Sequence, residues 1–243
     1  MQPRGLALGS TGEARYVAPL QAGLPTDGGA VLDRIITELG AARGPRAIVW
    51  DIDGTIVETR KRMLAALHAY GRTATLAQLR DTAPHTDDVI RDFGLDQRRF
   101  EIVWDRVFWQ ADRLGDDVPI RAIVERMQRA ARLGIQNIIL TGRNTELGPA
   151  TRTFLNDHEI PFTLLLCKQN GQLTVPFKSD KVAGLLARFR VGAFVTDAAR
   201  EIAGIQRTLG SHAPTSVVVA AAGGPIRDAA GIAAHVLPVE LAG

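Results

Sequence analysis

The run Ala47-Ile-Val-Trp-Asp-Ile-Asp-Gly-Thr-Ile56 constrains this chain more than any other, because an apolar stretch gives way at once to two carboxylates, a glycine and a threonine. Ala47 to Trp50 follows Gly44-Pro45 and is too short for a helix, so it reads as a buried strand of a parallel sheet. In open parallel sheets ligands bind beyond the carboxyl ends of the strands, which is where Asp51 and Asp53 are delivered. Two aspartates one residue apart in an extended chain project to the same side and repel. Mg²⁺ relieves such repulsion, taking one or two carboxylates and completing its shell with water and phosphate oxygens. Gly54 permits a tight turn, and Thr55 offers a hydroxyl where the chain leaves the strand. An Asp-Gly turn with a capping Asp is the commonplace alternative for these residues.

With 243 residues and 46% hydrophobic content, the chain can bury a full core as one main domain with a sizeable insertion. No internal repeat period is present. The 29 basic and 26 acidic residues are interspersed and leave a net charge of only +3, so nucleic acid is not expected as a partner. The single cysteine, Cys167, has no intrachain disulfide partner and ends the apolar run Thr163 to Cys167, which reads as a buried structural thiol. No apolar run approaches the roughly 20 residues of a membrane span, and the N-terminus has no signal-like hydrophobic region. The expectation is a cytoplasmic protein without a membrane partner; composition leaves the oligomeric state open.

Residues 1–28 are rich in small residues without a sustained period and read as an irregular arm, with a short extended piece at Arg15 to Ala18. Helical spacing is expected over Ala30 to Ala42 and over Glu58 to Tyr70. Further helical pieces follow at Leu76 to Arg80, Thr86 to Phe93 and Gln97 to Leu114, with no convincing strand among them. Residues 57–117 therefore read as a helical insertion whose aromatics form its own core. Pro119 is expected to open a helix through Ala131. Strands are expected at Ile135 to Leu140, Phe162 to Leu166, Ala193 to Thr196, Ser216 to Ala221 and His235 to Leu237, with helices at Glu146 to His158 and Ser179 to Phe189. Gln169 to Gln172 reads as a hairpin turn. The alternation predicts a doubly wound parallel α/β sheet, built from residues 29–56 and 118–243.

Strand ends thus carry Asp51 and Asp53, Thr141, and Asp197, and Lys178 stands near a helix start. The ordered segments DIDGT, IILTGR, VPFKSDK and FVTDAARE resemble the four motifs of the haloacid dehalogenase-like (HAD) phosphohydrolases, and the position of the insertion resembles a type 1 cap. The resemblance covers about residues 46–201. It implies a Rossmann-like core and an enzyme in which Asp51 attacks phosphorus to form an aspartyl phosphate. It implies further that Asp53 protonates the leaving oxygen and later activates water, while its backbone carbonyl binds the metal. Thr141 and the amide of Gly142 would hold phosphate oxygens, and Lys178 would neutralise the crowded anions. Asp197 would complete the protein ligands of Mg²⁺ beside Asp51 and Asp53, with Glu201 next to it.

Each residue has a plainer reading. Thr141 and Asp197 are also good helix caps. Lys181 competes with Lys178, Glu201 suits a surface helix, and Arg143 suits solvent as well as substrate. The five histidines show no metal-ligand spacing. Motif IV departs from the usual pattern, with Thr196-Asp197 and Glu201 where a Gly-Asp or Asp-Asp pair and a further Asp are common. The implied activity is Mg²⁺-dependent hydrolysis of a small soluble phosphomonoester. The alternatives are a phosphotransferase or mutase, a polynucleotide phosphatase, and a HAD-like binding or regulatory module. Arg60-Lys-Arg62 at the entrance to the insertion hints at an anionic substrate.

Overall fold

A computed structural model describes residues 24–79, 85–222, 226 and 228–241. The extended piece expected at Arg15 to Ala18 lies outside them. In chain order the elements are α1 (Gly28–Ala41), β1 (Arg46–Trp50), β2 (Val57–Glu58), α2 (Arg60–Tyr70), α3 (Thr86–Phe93), α4 (Gln97–Val107), β3 (Val118–Pro119), α5 (Arg121–Arg132), β4 (Gln136–Asn144), α6 (Gly148–Asp157), β5 (Leu164–Lys168), α7 (Thr174–Leu186), β6 (Arg190–Thr196), α8 (Ala199–Leu209), β7 (Thr215–Ala221) and β8 (His235–Val239). Six strands form one sheet in the order β5-β4-β1-β6-β7-β8, every pair parallel. This is the doubly wound sheet that the strand-helix alternation predicts.

Period-two alternation along β1 sorts its side chains between two cores. Ile48 and Trp50 join Leu32 and Ile36 of α1, Ile123 and Met127 of α5, and Phe154 and Leu155 of α6. Ala47 and Val49 face the other way, onto Phe177, Val182 and Leu185 of α7 and Ile202 and Ile205 of α8. Both faces are covered, so β1 is apolar from Ala47 to Trp50. The indole N–H of Trp50 is satisfied by Asn137 Oδ1 at 3.0 Å, and Asn137 in turn donates to the carbonyl of Met127 at 2.8 Å.

β1 lies between β4 and β6, with Trp50 level with Ile139 and Val195. This register brings Asp51 and Asp197, just past β1 and β6, and Thr141, within β4, to one edge. Beyond Asp51 the chain turns: the carbonyl of Ile52 accepts the amides of Thr55, Ile56 and Val57. Gly54 sits in this turn at φ 75°, a left-handed conformation that glycine adopts at little cost.

The insertion leaves and re-enters the core through a two-stranded antiparallel hinge, Val57 opposite Pro119 and Glu58 opposite Val118. Pro119 thus belongs to a hinge strand, and α5 starts two residues later, at Arg121. Pairing with a distant segment overrides its preference for a helix N-terminus. A hinge strand likewise occupies Val57–Glu58, where the sequence shows only helical spacing. The insertion has its own core of Met63, Leu67, Leu79, Val89, Phe100, Trp104 and Phe108. Trp104 and Phe108 stack with ring centroids 4.0 Å apart. Its last predicted helix stops at Val107 and resumes as a 3-10 turn over Ala111–Asp116. Leu76 to Leu79 forms turns rather than a helix.

Other boundaries also shift. Gln169 to Gln172 turns β5 into α7 rather than into another strand, and α7 begins at Thr174, so Lys178 lies inside the helix. Cys167 is half-buried in β5 near the sheet edge, and burial pushes its thiol pKa up. Among the described residues, no helix is long and apolar enough to cross a membrane.

Candidate active site

Asp51 emerges from β1 with its side chain buried. One carboxylate oxygen accepts the amide of Ile52 at 2.8 Å, and the other takes the ammonium of Lys178 at 2.8 Å. Lys178 reaches across from α7 and also pairs with Glu201 Oε2 of α8 at 2.7 Å. The hydroxyl of Thr196, the last residue of β6, donates to that same Glu201 oxygen at 2.8 Å and accepts the amide of Ala198 at 3.2 Å. Lys181 is exposed, its ammonium 5.8 Å from the Phe177 ring. Of the two candidate lysines, only Lys178 enters the site.

Burial would lower the Lys178 pKa, but Asp51 and Glu201 outweigh it and hold the ammonium above its ordinary range. Burial pushes Asp51 up to about 7, opposed by Lys178 and aided by Glu201. Asp197, directly after β6, is raised well above the carboxylate range by burial and by the nearby charges of Asp51 and Glu201. Asp51, Asp197 and Glu201 thus face one ammonium, an excess of negative charge in a desolvated place.

The carboxylate of Asp197 is 6% exposed, and neither of its oxygens has a hydrogen-bond partner. Two orphaned carboxylate oxygens beside another carboxylate fit a bound cation, which supplies the missing charge. Among the described residues no three His, Cys, Asp or Glu side chains form a ready-made cage. A cation here would draw on one or two carboxylates, backbone oxygen and external oxygens, as Mg²⁺ commonly does. His85, at the start of α3, places Nε2 3.6 Å from Asp197 Oδ2. Burial, then Arg200, holds its imidazole pKa down at about 4.

Asp53 stands in an ion-pair group that its spacing does not announce. The chain turns at Ile52, so the two-residue alternation of a strand ends before Asp53. Its carboxylate is forked by Arg143, with Nε to Oδ2 at 3.0 Å and Nη2 to Oδ1 at 2.7 Å, and Arg62 of α2 also bonds to Oδ1. Asp117 closes the group, taking Arg143 Nη2 at 2.8 Å and Arg62 Nε at 2.5 Å. Both guanidiniums are fully buried, and Arg62 lies 4.1 Å over the Phe108 ring. Burial alone would raise the Asp53 pKa; the two arginines reverse that and hold it well below the carboxylate range. Arg143 is therefore neither solvated nor free for substrate. The Arg60-Lys-Arg62 run does not present a cationic face, because Arg60 and Arg62 are buried and Arg60 pairs with Glu58.

Thr141 is fully buried within β4, which runs on to Asn144 rather than stopping at Leu140; its hydroxyl accepts the amide of Arg143 at 3.1 Å, and half-buried Gly142 follows it. Sequence reasoning missed His85, Asp117 and the pairing role of Arg62. Each depends on contacts between segments far apart in the chain, which no local spacing encodes.

No sequence-family model matches this chain, and no curated protein matches it. Solved structures do share its architecture. One is a haloacid dehalogenase-like family hydrolase from Streptococcus pneumoniae, 14% identical, with a TM-score of 0.59 over 80% of this chain and 93% of that one. A second is described as a predicted phosphatase from Clostridium acetobutylicum, 13% identical, with a TM-score of 0.59 over 80% and 94%. Protein Tyrosine Kinase A of Mycobacterium tuberculosis is 16% identical, with a TM-score of 0.56 over 81% of this chain and 94% of that one. At these identities the likeness establishes the fold.

Proposed function

We propose that this chain, which carries the haloacid dehalogenase-like fold, is a phosphatase that hydrolyses a small phosphorylated metabolite through an aspartyl phosphate on Asp51. The observation that carries this reading is the buried contact of Asp51 with Lys178 at the sheet edge, beside the orphaned carboxylate of Asp197. A carboxylate held in a fixed orientation next to a desolvated ammonium suits attack on an anionic phosphorus centre.

In the first half-reaction an Asp51 oxygen forms a bond to phosphorus as the bond to the leaving oxygen breaks. Lys178 neutralises charge on the phosphoryl group, and the Thr141 hydroxyl and Gly142 amide orient its oxygens. Asp53 protonates the leaving oxygen, which requires its carboxylate first to leave the pairing with Arg62 and Arg143 and to take up a proton from solvent. In the second half-reaction ionised Asp53 accepts a proton from the water that cleaves the acyl phosphate. Asp51, Asp197 and the backbone carbonyl of Asp53 are the groups we assign to a divalent cation, with Mg²⁺ suited to that all-oxygen set. Such a cation, when bound, offsets the carboxylate excess and screens the phosphate from the nucleophile.

The test is phosphate release from a panel of phosphorylated metabolites with Mg²⁺ present. Turnover of at least one is expected, and Asp51→Asn, nearly isosteric but unable to attack phosphorus, is expected to abolish it while leaving the circular dichroism spectrum unchanged. Wild-type turnover by a folded Asp51→Asn protein would exclude the covalent route.

A further inference from the structure

We propose that His85 supplies a nitrogen ligand to the divalent cation of this site, so that the insertion as well as the core holds the metal. The inference rests on the reading above that Asp51 and Asp197 bind such a cation. His85 Nε2 is buried without a hydrogen-bond partner, and so are both oxygens of Asp197. The nitrogen and Oδ2 face each other at 3.6 Å, too far for a hydrogen bond. Two ligand atoms each about 2.1 Å from one cation stand roughly 3.0 to 3.4 Å apart in octahedral or tetrahedral arrangements. The observed separation is close to that spacing.

The position of His85 also frees its ring for this task. It is the N-cap residue of α3, in extended conformation (φ −118°, ψ 142°), yet its side chain makes no capping bond. The helix it precedes is tied to the core nearby, Arg200 of α8 pairing with Asp87 of α3 at 3.2 Å. The ring is thereby brought from the insertion to the end of β6, where Asp197 stands. One imidazole among oxygen donors shifts preference from Mg²⁺ toward Mn²⁺, Co²⁺ and Zn²⁺.

The full-length protein loaded with Mn²⁺ provides the test, read by electron spin-echo envelope modulation rather than by turnover. The expected result is modulation from a directly bound ¹⁴N that changes to the ¹⁵N pattern when the histidines are ¹⁵N-labelled, a comparison that needs no variant. In His85→Gln the nitrogen signal is expected to vanish and Mn²⁺ affinity to fall at least about 10-fold, with a smaller change for Mg²⁺. Bound Mn²⁺ without histidine nitrogen coupling, or coupling that persists in His85→Gln, overturns the role of His85 and leaves the cation reading standing. Failure of the wild-type protein to bind Mn²⁺ or Mg²⁺ overturns both.

Discussion

A lysine stripped of water keeps its charge only where carboxylates hold it, and Lys178 is held by two. Its neighbour one turn on, Lys181, is exposed, with its ammonium 5.8 Å from the Phe177 ring. Lys178→Met is therefore expected to lower phosphate release by about 10²- to 10³-fold, the scale of losing one preorganised charge in a dry site. Lys181→Met should leave the rate unchanged. Steady-state assays of the two folded variants check this, and equal losses would remove the distinction. At this scale the sequence was informative where a residue ends a strand: Asp51, Thr141 and Asp197 follow apolar runs that have to be buried. It does not reveal the ion pairs of Asp53 with Arg62 and Arg143, which come from α2 and β4.

Among the elements, the strands were the most legible, since β1, β4, β6 and β7 are buried on both faces and their composition announces it. Their partners across the sheet follow from the parallel crossover rule rather than from any residue. The hinge strands β2 and β3 were not legible, each being two residues long and paired across the whole insertion. Close approach between elements is equally invisible in sequence. A Cβ placed on Gly28, the first residue of α1, would lie 2.6 Å from the backbone carbon and oxygen of Val236 in β8. Backbone in a paired strand cannot give way as a side chain can. Gly28→Ala is thus expected to cost about 1 to 3 kcal/mol of stability, measured by urea unfolding. An unchanged midpoint would mean that α1 shifts along the sheet without penalty.

Across the whole molecule, the four-residue group of Asp53, Arg143, Arg62 and Asp117 joins the insertion to the core. Removing one member of a buried charge group strands its partners, so Arg62→Met should destabilise by about 3 to 5 kcal/mol in chemical denaturation. Replacing exposed Arg121, whose pairing with Glu125 is solvated, should cost far less. Comparable losses for the two would show that the buried group contributes no more than a surface pair. The grouping also bears on ancestry and on grafting. Two of its charges, Asp53 and Arg143, belong to the sheet edge of the candidate site, and the others are Arg62 of the insertion and Asp117 at its exit. A foreign insertion spliced between the hinge strands would leave Asp53 and Arg143 paired with each other, and would lose the tie to the core unless it brought a guanidinium and a carboxylate to the same places. What has to be inherited with the insertion is its pair of charges, Arg62 and Asp117, rather than the edge they bind.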